Sequence, residues 1–287
     1  MIKLIFKIFK TAAYPLRGRH LNKFNFVRKT LNFVLYYLGP KSVVVDGNRM
    51  FLDKDDSMRL SILGVYEPST VKHFRERIKE GDIVLDIGAH IGYYTLMAAK
   101  RVGNKGKVYA FEPNYDNFVL LTKNIKINGY KNVVLINKAI AESTKKARLF
   151  LSRISTGMHS LIDIDNNNQN STLVDTISLD DFFGKKLPRV SVIKMDIEGG
   201  EYSAVEGMTG LLKRSKRSTI FTEFSPFAIK KSGRSPRGFL IHLQKSGFKL
   251  YSIDELKSLV IPINVERFLS SFPMDRDWHI NLLAVKE

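Results

Sequence analysis

The chain has 287 residues, 44% of them hydrophobic and 26% charged, enough to bury a large core and too balanced for a disordered, collagen-like or coiled-coil protein. It has no cysteine, which excludes disulfides, thiolate metal sites and cysteine nucleophiles together. The formal charge of +18 is concentrated: residues 1–40 carry eight basic side chains and no acid, and residues 210–240 carry eight against Glu223 alone. Two such patches suggest acidic partners, whether nucleic acid, anionic lipid or a phosphorylated substrate.

Residues 1–40 read as a basic amphipathic leader. Lys3, Lys7 and Lys10 share one helical face while Ile2, Leu4, Ile5, Phe6, Ile8 and Phe9 cover most of the rest, the pattern of a helix lying on an anionic membrane through residues 1–18. The same lysines leave no apolar run of signal-peptide or membrane-spanning length. The expected location is therefore cytoplasmic, with peripheral contact at the inner membrane surface. Residues 41–80 precede the core. Val43–Val45 and Met50–Leu52 flank Asp46-Gly47-Asn48 as a hairpin, and a helix is expected from a Ser69 cap to about Lys79, ended by Gly81.

Residues 81–287 form the main domain. Apolar runs at Ile83–Ile87, Val108–Phe111, Val133–Ile136, Val190–Met195, Thr219–Phe224, Phe248–Ile253 and Ile280–Val285 alternate with helical stretches near 92–102, 114–128, 201–213 and 236–246. That alternation predicts an α/β fold with a doubly wound sheet covered on both faces. Between the third and fourth runs lies an insertion, 141–189, with strand-like pieces Ala147–Leu151 and Leu173–Ile177 and an Asn-rich stretch, Asp163–Thr172. A loop of that length is a lid or is disordered, and the choice of acceptor is expected to reside there.

The segment VLDIGAHIGYYT, Val84–Thr95, reads as strand, glycine turn and helix. A pyrophosphate-binding turn carries G-x-G-x-x-G, whereas this one carries D-x-G-x-x-x-G with Asp86, Gly88 and Gly92. A carboxylate repels a pyrophosphate but attracts an ammonium and a sulfonium, so the turn suits S-adenosylmethionine. Gly88 permits close backbone approach, and Gly92 lets the helix begin near the strand. Glu112, ending the next strand, is placed to accept the ribose hydroxyls, and the adenine is expected near Asn137 and Ala139 at the end of the third.

Together with FEPNYDNFVLLTKNIKIN (Phe111–Asn128), TISLDDFF (Thr176–Phe183) and IKMDIEGGE (Ile193–Glu201), this motif resembles the FkbM-type methyltransferases over roughly residues 65–250. The resemblance implies a class I methyltransferase fold, Rossmann-like, with a seven-stranded sheet whose last strand is antiparallel, and methyl transfer to a hydroxyl oxygen. His90 stands where that family often has Asn, which changes the polar lining of the cofactor site. On resemblance alone, Ser160 is a further cofactor or substrate contact.

Asp196 and Glu198 follow the fourth strand and so face the methyl group. A carboxylate whose pKa is raised by neighbouring acids can accept an alcohol proton, which makes Asp196 the candidate base or orienting group and Glu198 its partner. Glu201 at a helix start needs no role beyond the helix dipole. Asp196 and Glu198 could instead hold Mg²⁺, with Glu223 as third ligand. His159 and His242 are alternative bases.

The leading function is thus an S-adenosylmethionine-dependent O-methyltransferase acting on a sugar, glycolipid or related metabolite, with no metal assigned. A nucleic-acid methyltransferase would explain the charge, but the fourth strand lacks the D/N-P-P-Y segment of base amino methylation and its acids repel phosphates, so no nucleic acid is expected as partner. A non-catalytic membrane-associated scaffold is the third reading. The second basic patch, straddling the fifth strand, is expected to hold a phosphorylated carrier.

Overall fold

The computed structural model describes residues 33–164, 169–273 and 278–287. The amphipathic helix expected at residues 1–18 and part of the Asn-rich stretch lie outside the described residues. The chain divides after Tyr66 into two compact units. The first holds the expected hairpin, β1 (Ser42–Val45) and β2 (Asn48–Phe51), with antiparallel register Val45↔Asn48. Asp46 and Gly47 both have positive φ, 52° and 81°, the turn geometry that an Asp-Gly pair favours. A short helix, α1 (Leu60–Leu63), follows.

The second unit opens with α2 (Pro68–Arg77) and runs through β3 (Ile83–Ile87), α3 (Tyr93–Val102), β4 (Lys107–Phe111), α4 (Tyr115–Ile127) and β5 (Val133–Ile136). The insertion supplies β6 (Ala139–Ile140), β7 (Lys145–Phe150), β8 (Ser171–Ile177) and α5 (Leu179–Phe183). Then come β9 (Val192–Met195), α6 (Glu201–Glu206), α7 (Thr209–Arg214), β10 (Ser218–Phe224), α8 (Pro226–Lys231), α9 (Pro236–Lys245), β11 (Lys249–Asp254), β12 (Leu259–Pro262), α10 (Val265–Ser270) and β13 (Ile280–Lys286).

All seven apolar runs become strands of one sheet, ordered β12-β11-β13-β10-β9-β3-β4-β5. The pairs β10·β9, β9·β3, β3·β4 and β4·β5 are parallel, and β13 runs antiparallel between β10 and β11. The sheet therefore has the expected class I topology with an eighth strand, β12, added antiparallel at the β11 edge. Every residue of β9 and of β10 is buried, as a central strand covered by helices on both faces requires. Leu85, Ile87, Phe111, Ile193, Met195, Ile220 and Phe224 carry the core across the middle strands.

Three local expectations change. Ser69 does not cap α2: it lies inside the first turn, and the amides of Ser69 and Thr70 donate instead to the Glu255 carboxylate, both at 2.9 Å. The helix ends at Arg77, where Ile78 turns extended, ahead of Gly81. The helical stretch 201–213 is two helices, interrupted at Gly207 and Met208; a Cβ on Gly207 would lie 2.1 Å from the Ala141 carbonyl oxygen, so only glycine fits at the break. The insertion is ordered where described, with β7 and β8 antiparallel and β6 joined parallel to β8.

The basic patch of residues 210–240 is also not one surface. Lys213, Arg214, Lys216 and Arg217 precede β10 at the amino end of the sheet, while Lys230, Lys231, Arg234 and Arg237 follow its carboxyl end. Arg234 is ion-paired with both Glu142 and Glu206, and Arg237 with Glu266, so these arginines are already engaged within the fold.

Candidate functional site

The site is built at the carboxyl ends of β3, β4, β9 and β10, where a parallel sheet leaves its crevice. After β3 the chain turns through Gly88 at φ 79°, and the amides of Gly88 and Ala89 both donate to the Phe111 carbonyl at 2.9 Å. A Cβ on Gly88 would lie 1.9 Å from the Asp196 carbonyl oxygen. The turn is thus wedged between the ends of β4 and β9, and only glycine fits both its space and its left-handed φ. Gly92, at φ 97°, faces Leu121 in the same way, 2.7 Å from where a Cβ would stand.

Asp86 is buried at the end of β3, where it accepts the Thr95 hydroxyl, and burial raises its pKa to about 6. Glu112 ends β4. Its Oε2 accepts the His90 amide at 2.8 Å and its Oε1 the Asn114 amide at 2.9 Å, yet burial still lifts it to about 7. Asn137 donates its Nδ2 to the carbonyls of Glu112 and Pro113, holding that turn in place.

A cleft of about 540 Å³, open to solvent, runs over these ends. Of the residues singled out from sequence, Gly88, His90, Glu112, Ala139, His159 and Asp196 line it. Asp86, Gly92, Asn137, Ser160 and Glu198 stand behind or beside the lining. Phe111, Ile140, Leu149 and Leu161 give it an apolar wall. The insertion contributes directly: His90 Nε2 meets the Thr156 hydroxyl at 2.9 Å, and Asn117 Nδ2 donates to the Thr156 carbonyl at 2.9 Å. His159 Nδ1 accepts the Ser152 amide at 3.1 Å, which leaves the proton on Nε2, and burial lowers its pKa to about 4. Ser160 donates to the Glu198 carbonyl at 2.7 Å, pinning the insertion to the turn after β9. His242 packs against Tyr202 on α9, outside this lining.

On the β10 side of Asp196 lies a group of charges. Ligand oxygens of Asp196, Glu198 and Glu223 fall within 4.8 Å of one another. Lys194, buried on β9 at 1% exposure, donates to Asp196 Oδ2 at 3.1 Å and lies over the Tyr94 ring at 5.0 Å. Burial opposes its charge, but Asp196, Glu67 and Glu223 outweigh that and raise its pKa, so it remains an ammonium. Glu67 in turn accepts the Tyr94 hydroxyl at 2.6 Å and the Asn281 amide at 2.7 Å. Burial, followed by the charges of Asp196, Glu198 and Glu201, raises Glu223 well above its ordinary value.

Sequence reasoning passed over Lys194, Thr95 and Glu67. A charged residue within the apolar run Val190–Met195 was the available signal for Lys194, since a lysine buried on a central strand requires partners. Thr95 and Glu67 become partners only through the fold.

An S-adenosylmethionine molecule fits the chemistry of this cleft. The Gly88 turn admits close backbone approach, the Glu112 carboxylate lines the cleft, and apolar side chains offer a surface for an adenine. Comparison with known proteins agrees with that fit. The methyltransferase FkbM domain profile matches residues 86–250, more than half of the chain. The hexuronic acid methyltransferase AglP of Haloferax volcanii is 28% identical over 149 residues, 51% of this chain and 58% of that protein. Methyltransferase 1 of Beauveria bassiana is 24% identical over 148 residues, 45% of this chain and 59% of that one. The matches thus span less than two thirds of either relative. A solved SAM-dependent methyltransferase from Aquifex aeolicus aligns with a TM-score of 0.42 at 18% identity, over 81% of this chain and 95% of that chain. With its D-x-G-x-x-x-G turn, its acids at the ends of β3 and β4 and the profile match across both, the chain belongs to the FkbM methyltransferase family, whose cofactor is S-adenosylmethionine.

Proposed function

We propose that this protein is an O-methyltransferase that uses S-adenosylmethionine to methylate a hydroxyl of a sugar, an acidic sugar of the hexuronic kind being the best fit. The observation that carries the reading is Asp196, which both lines the cofactor cleft and belongs to the carboxylate group at the ends of β9 and β10. An acceptor oxygen held by Asp196 is therefore next to the cofactor. The AglP relative supports a sugar acceptor.

Bound cofactor supplies an electrophilic methyl group on a sulfonium. The Gly88 turn would hold it, with Asp86 and Glu112 toward its ammonium and ribose and Ala139 toward its adenine. Gly92, His90, Asn137 and Ser160 hold the surrounding turns. Asp196 would take the proton of the acceptor hydroxyl, whose oxygen would receive the methyl group that the bound cofactor supplies. Glu198 orients the acceptor beside it, and alignment of the two reactants supplies much of the rate. His159, with Nε2 protonated, donates a hydrogen bond rather than accepting the proton. Lys194 holds Asp196 in place through the hydrogen bond to its Oδ2.

Nucleic acid is disfavoured as the acceptor because the exposed basic residues before β10 stand at the opposite end of the sheet from the cleft. No helix among the described residues is long and apolar enough to cross a membrane. Peripheral contact of the basic leader with anionic lipid remains part of this proposal.

The test supplies methyl-labelled cofactor with uronate-containing glycans and, separately, with RNA. Base-stable methyl ether in the glycan is the expected product. Base-labile methyl ester would transfer the reaction to the carboxylate oxygen, and label confined to RNA would overturn the sugar reading.

A further inference from the structure

The amino end of the large sheet carries a charged surface that methyl transfer does not use. Segment 184–189, between α5 and β9, holds Lys185, Lys186 and Arg189, and segment 213–217, from the end of α7 to β10, holds Lys213, Arg214, Lys216 and Arg217. All seven are exposed, and neither segment contains an acid. The fold holds the two segments together. The Val190 amide donates to the buried Ser215 hydroxyl at 2.9 Å, after which β9 and β10 run parallel with Val192 opposite Thr219. Asp180 Oδ2 and Oδ1 accept the Gly210 and Leu211 amides at 2.7 and 2.8 Å, which ties α5 to α7. The acids that join these segments to the fold are thereby engaged: Asp180 at α7, and Asp82 as acceptor of the Ser191 hydroxyl at 2.6 Å. Seven like charges sharing one face repel one another, a cost that an anionic partner removes.

The composition of the face selects among anionic partners. Binding of a nucleic-acid strand without sequence preference uses aromatic rings as stacking platforms between the cations. Neither basic segment contains an aromatic residue. Phe182 and Phe183, just ahead of the first, pack against the core, edge-on to the Tyr109 ring at 6.0 and 5.1 Å. An anionic bilayer needs only clustered lysines and arginines on an exposed face. Residues 1–40, with eight basic side chains and no acid, offer a second signal of the same sign, and stable attachment to a membrane takes two.

We propose that the amino end of the sheet, through the seven basic residues of segments 184–189 and 213–217, is a docking face for an anionic lipid surface. The contact is electrostatic: acidic headgroups balance the cations, and no side chain of the face enters the hydrocarbon. The cofactor cleft lies at the opposite end of the same sheet, so a protein seated in this way keeps its cleft open to water.

Co-sedimentation of the full chain with lipid vesicles tests the face without acceptor or cofactor. Vesicles of phosphatidylcholine with about one third phosphatidylglycerol should bind wild type, vesicles of phosphatidylcholine alone should not, and binding should weaken as salt is raised. Lys216→Glu with Arg217→Glu should lower the partition coefficient roughly tenfold or more, since each basic side chain near such a surface contributes severalfold. Lys230→Glu with Lys257→Glu makes the same change in net charge at the carboxyl end of the sheet and should lower it by about twofold at most. Both double variants should melt close to wild type, because all four positions are exposed. Failure of wild type to distinguish the two kinds of vesicle would overturn the proposal. A loss no greater in the amino-end variant than in the carboxyl-end one would do so too, tracing attachment to net charge or to the leader. Wild type that, at about 0.15 M salt, binds single-stranded RNA but not the anionic vesicles would assign the face to nucleic acid instead.

Discussion

At the carboxyl end of the large sheet, carboxylates are buried and crowd one another, whereas at the amino end lysines and arginines are exposed and spread apart. Arg189, Lys213, Arg214, Lys216 and Arg217 precede β9 and β10, all exposed to solvent. The Val190 amide donates to the Ser215 hydroxyl at 2.9 Å, which brings these two basic stretches side by side. Exposed charges are screened by water and salt, and each contributes little to folding. A buried charge must be matched by the fold around it, and its loss is felt in full. The basic residues at the amino end therefore describe a surface, while the proposed chemistry is assigned to a few acids that scarcely alter the formal charge of +18.

The largest effect that would sharpen this contrast is expected at Lys194. Lys194→Met leaves Asp196, Glu67 and Glu223 without their buried cation, and should cost about 3 kcal/mol or more of unfolding free energy in denaturant titration. Adding Glu223→Gln should recover part of that loss, since one unpaired charge is then gone. A fully additive double variant would show that the two side chains are not coupled. Gly88→Ala should cost on the order of 3 kcal/mol, combining overlap with the Asp196 carbonyl and a left-handed φ.

The pH dependence follows from the carboxyls that burial has raised. Glu112 and Glu201 stand at about 7 and Asp86 at about 6 in the fold. In the unfolded chain each sits near 4. A carboxyl raised by folding contributes stability that is complete below its unfolded pKa and is lost as pH rises through its folded pKa. In the protein without cofactor, stability from these groups should fall between about pH 4 and 7. Glu112→Gln should flatten that slope in thermal unfolding, and an unchanged slope would show that Glu112 titrates normally. At the small end of the scale, Lys216→Glu with Arg217→Glu should shift stability by no more than about 0.5 kcal/mol, as substitutions in an exposed basic surface do.

Much of the carboxyl end was legible in the sequence, because continuous apolar runs mark buried parallel strands and the residue that ends each run falls in the crevice. Asp86, Glu112, Asp196 and Glu223 were found in that way. What was not legible depends on contacts between distant segments. The Ser69 amide is satisfied by Glu255, 186 positions away. The need for glycine at position 207 comes from the nearness of the Ala141 carbonyl. The edge strand β12 is short and mostly exposed, and its three apolar residues run straight into Pro262, so only its pairing with β11 marks it as a strand of this sheet. Glu201 looked like an ordinary acid at a helix start, and its burial against the Ile197 amide emerges only when the turn closes on α6.

Calorimetric titration of S-adenosylmethionine into wild type, Asp86→Asn and the Lys216→Glu/Arg217→Glu double variant tests the division between the two ends most directly. One cofactor per chain is expected for wild type, with affinity weakened roughly tenfold or more, about 1.4 kcal/mol, by Asp86→Asn and unchanged by the double variant. Failure of wild type to bind, or loss of binding through the amino-end variant with Asp86→Asn unaffected, would contradict the assignment of the chemistry to the carboxyl end.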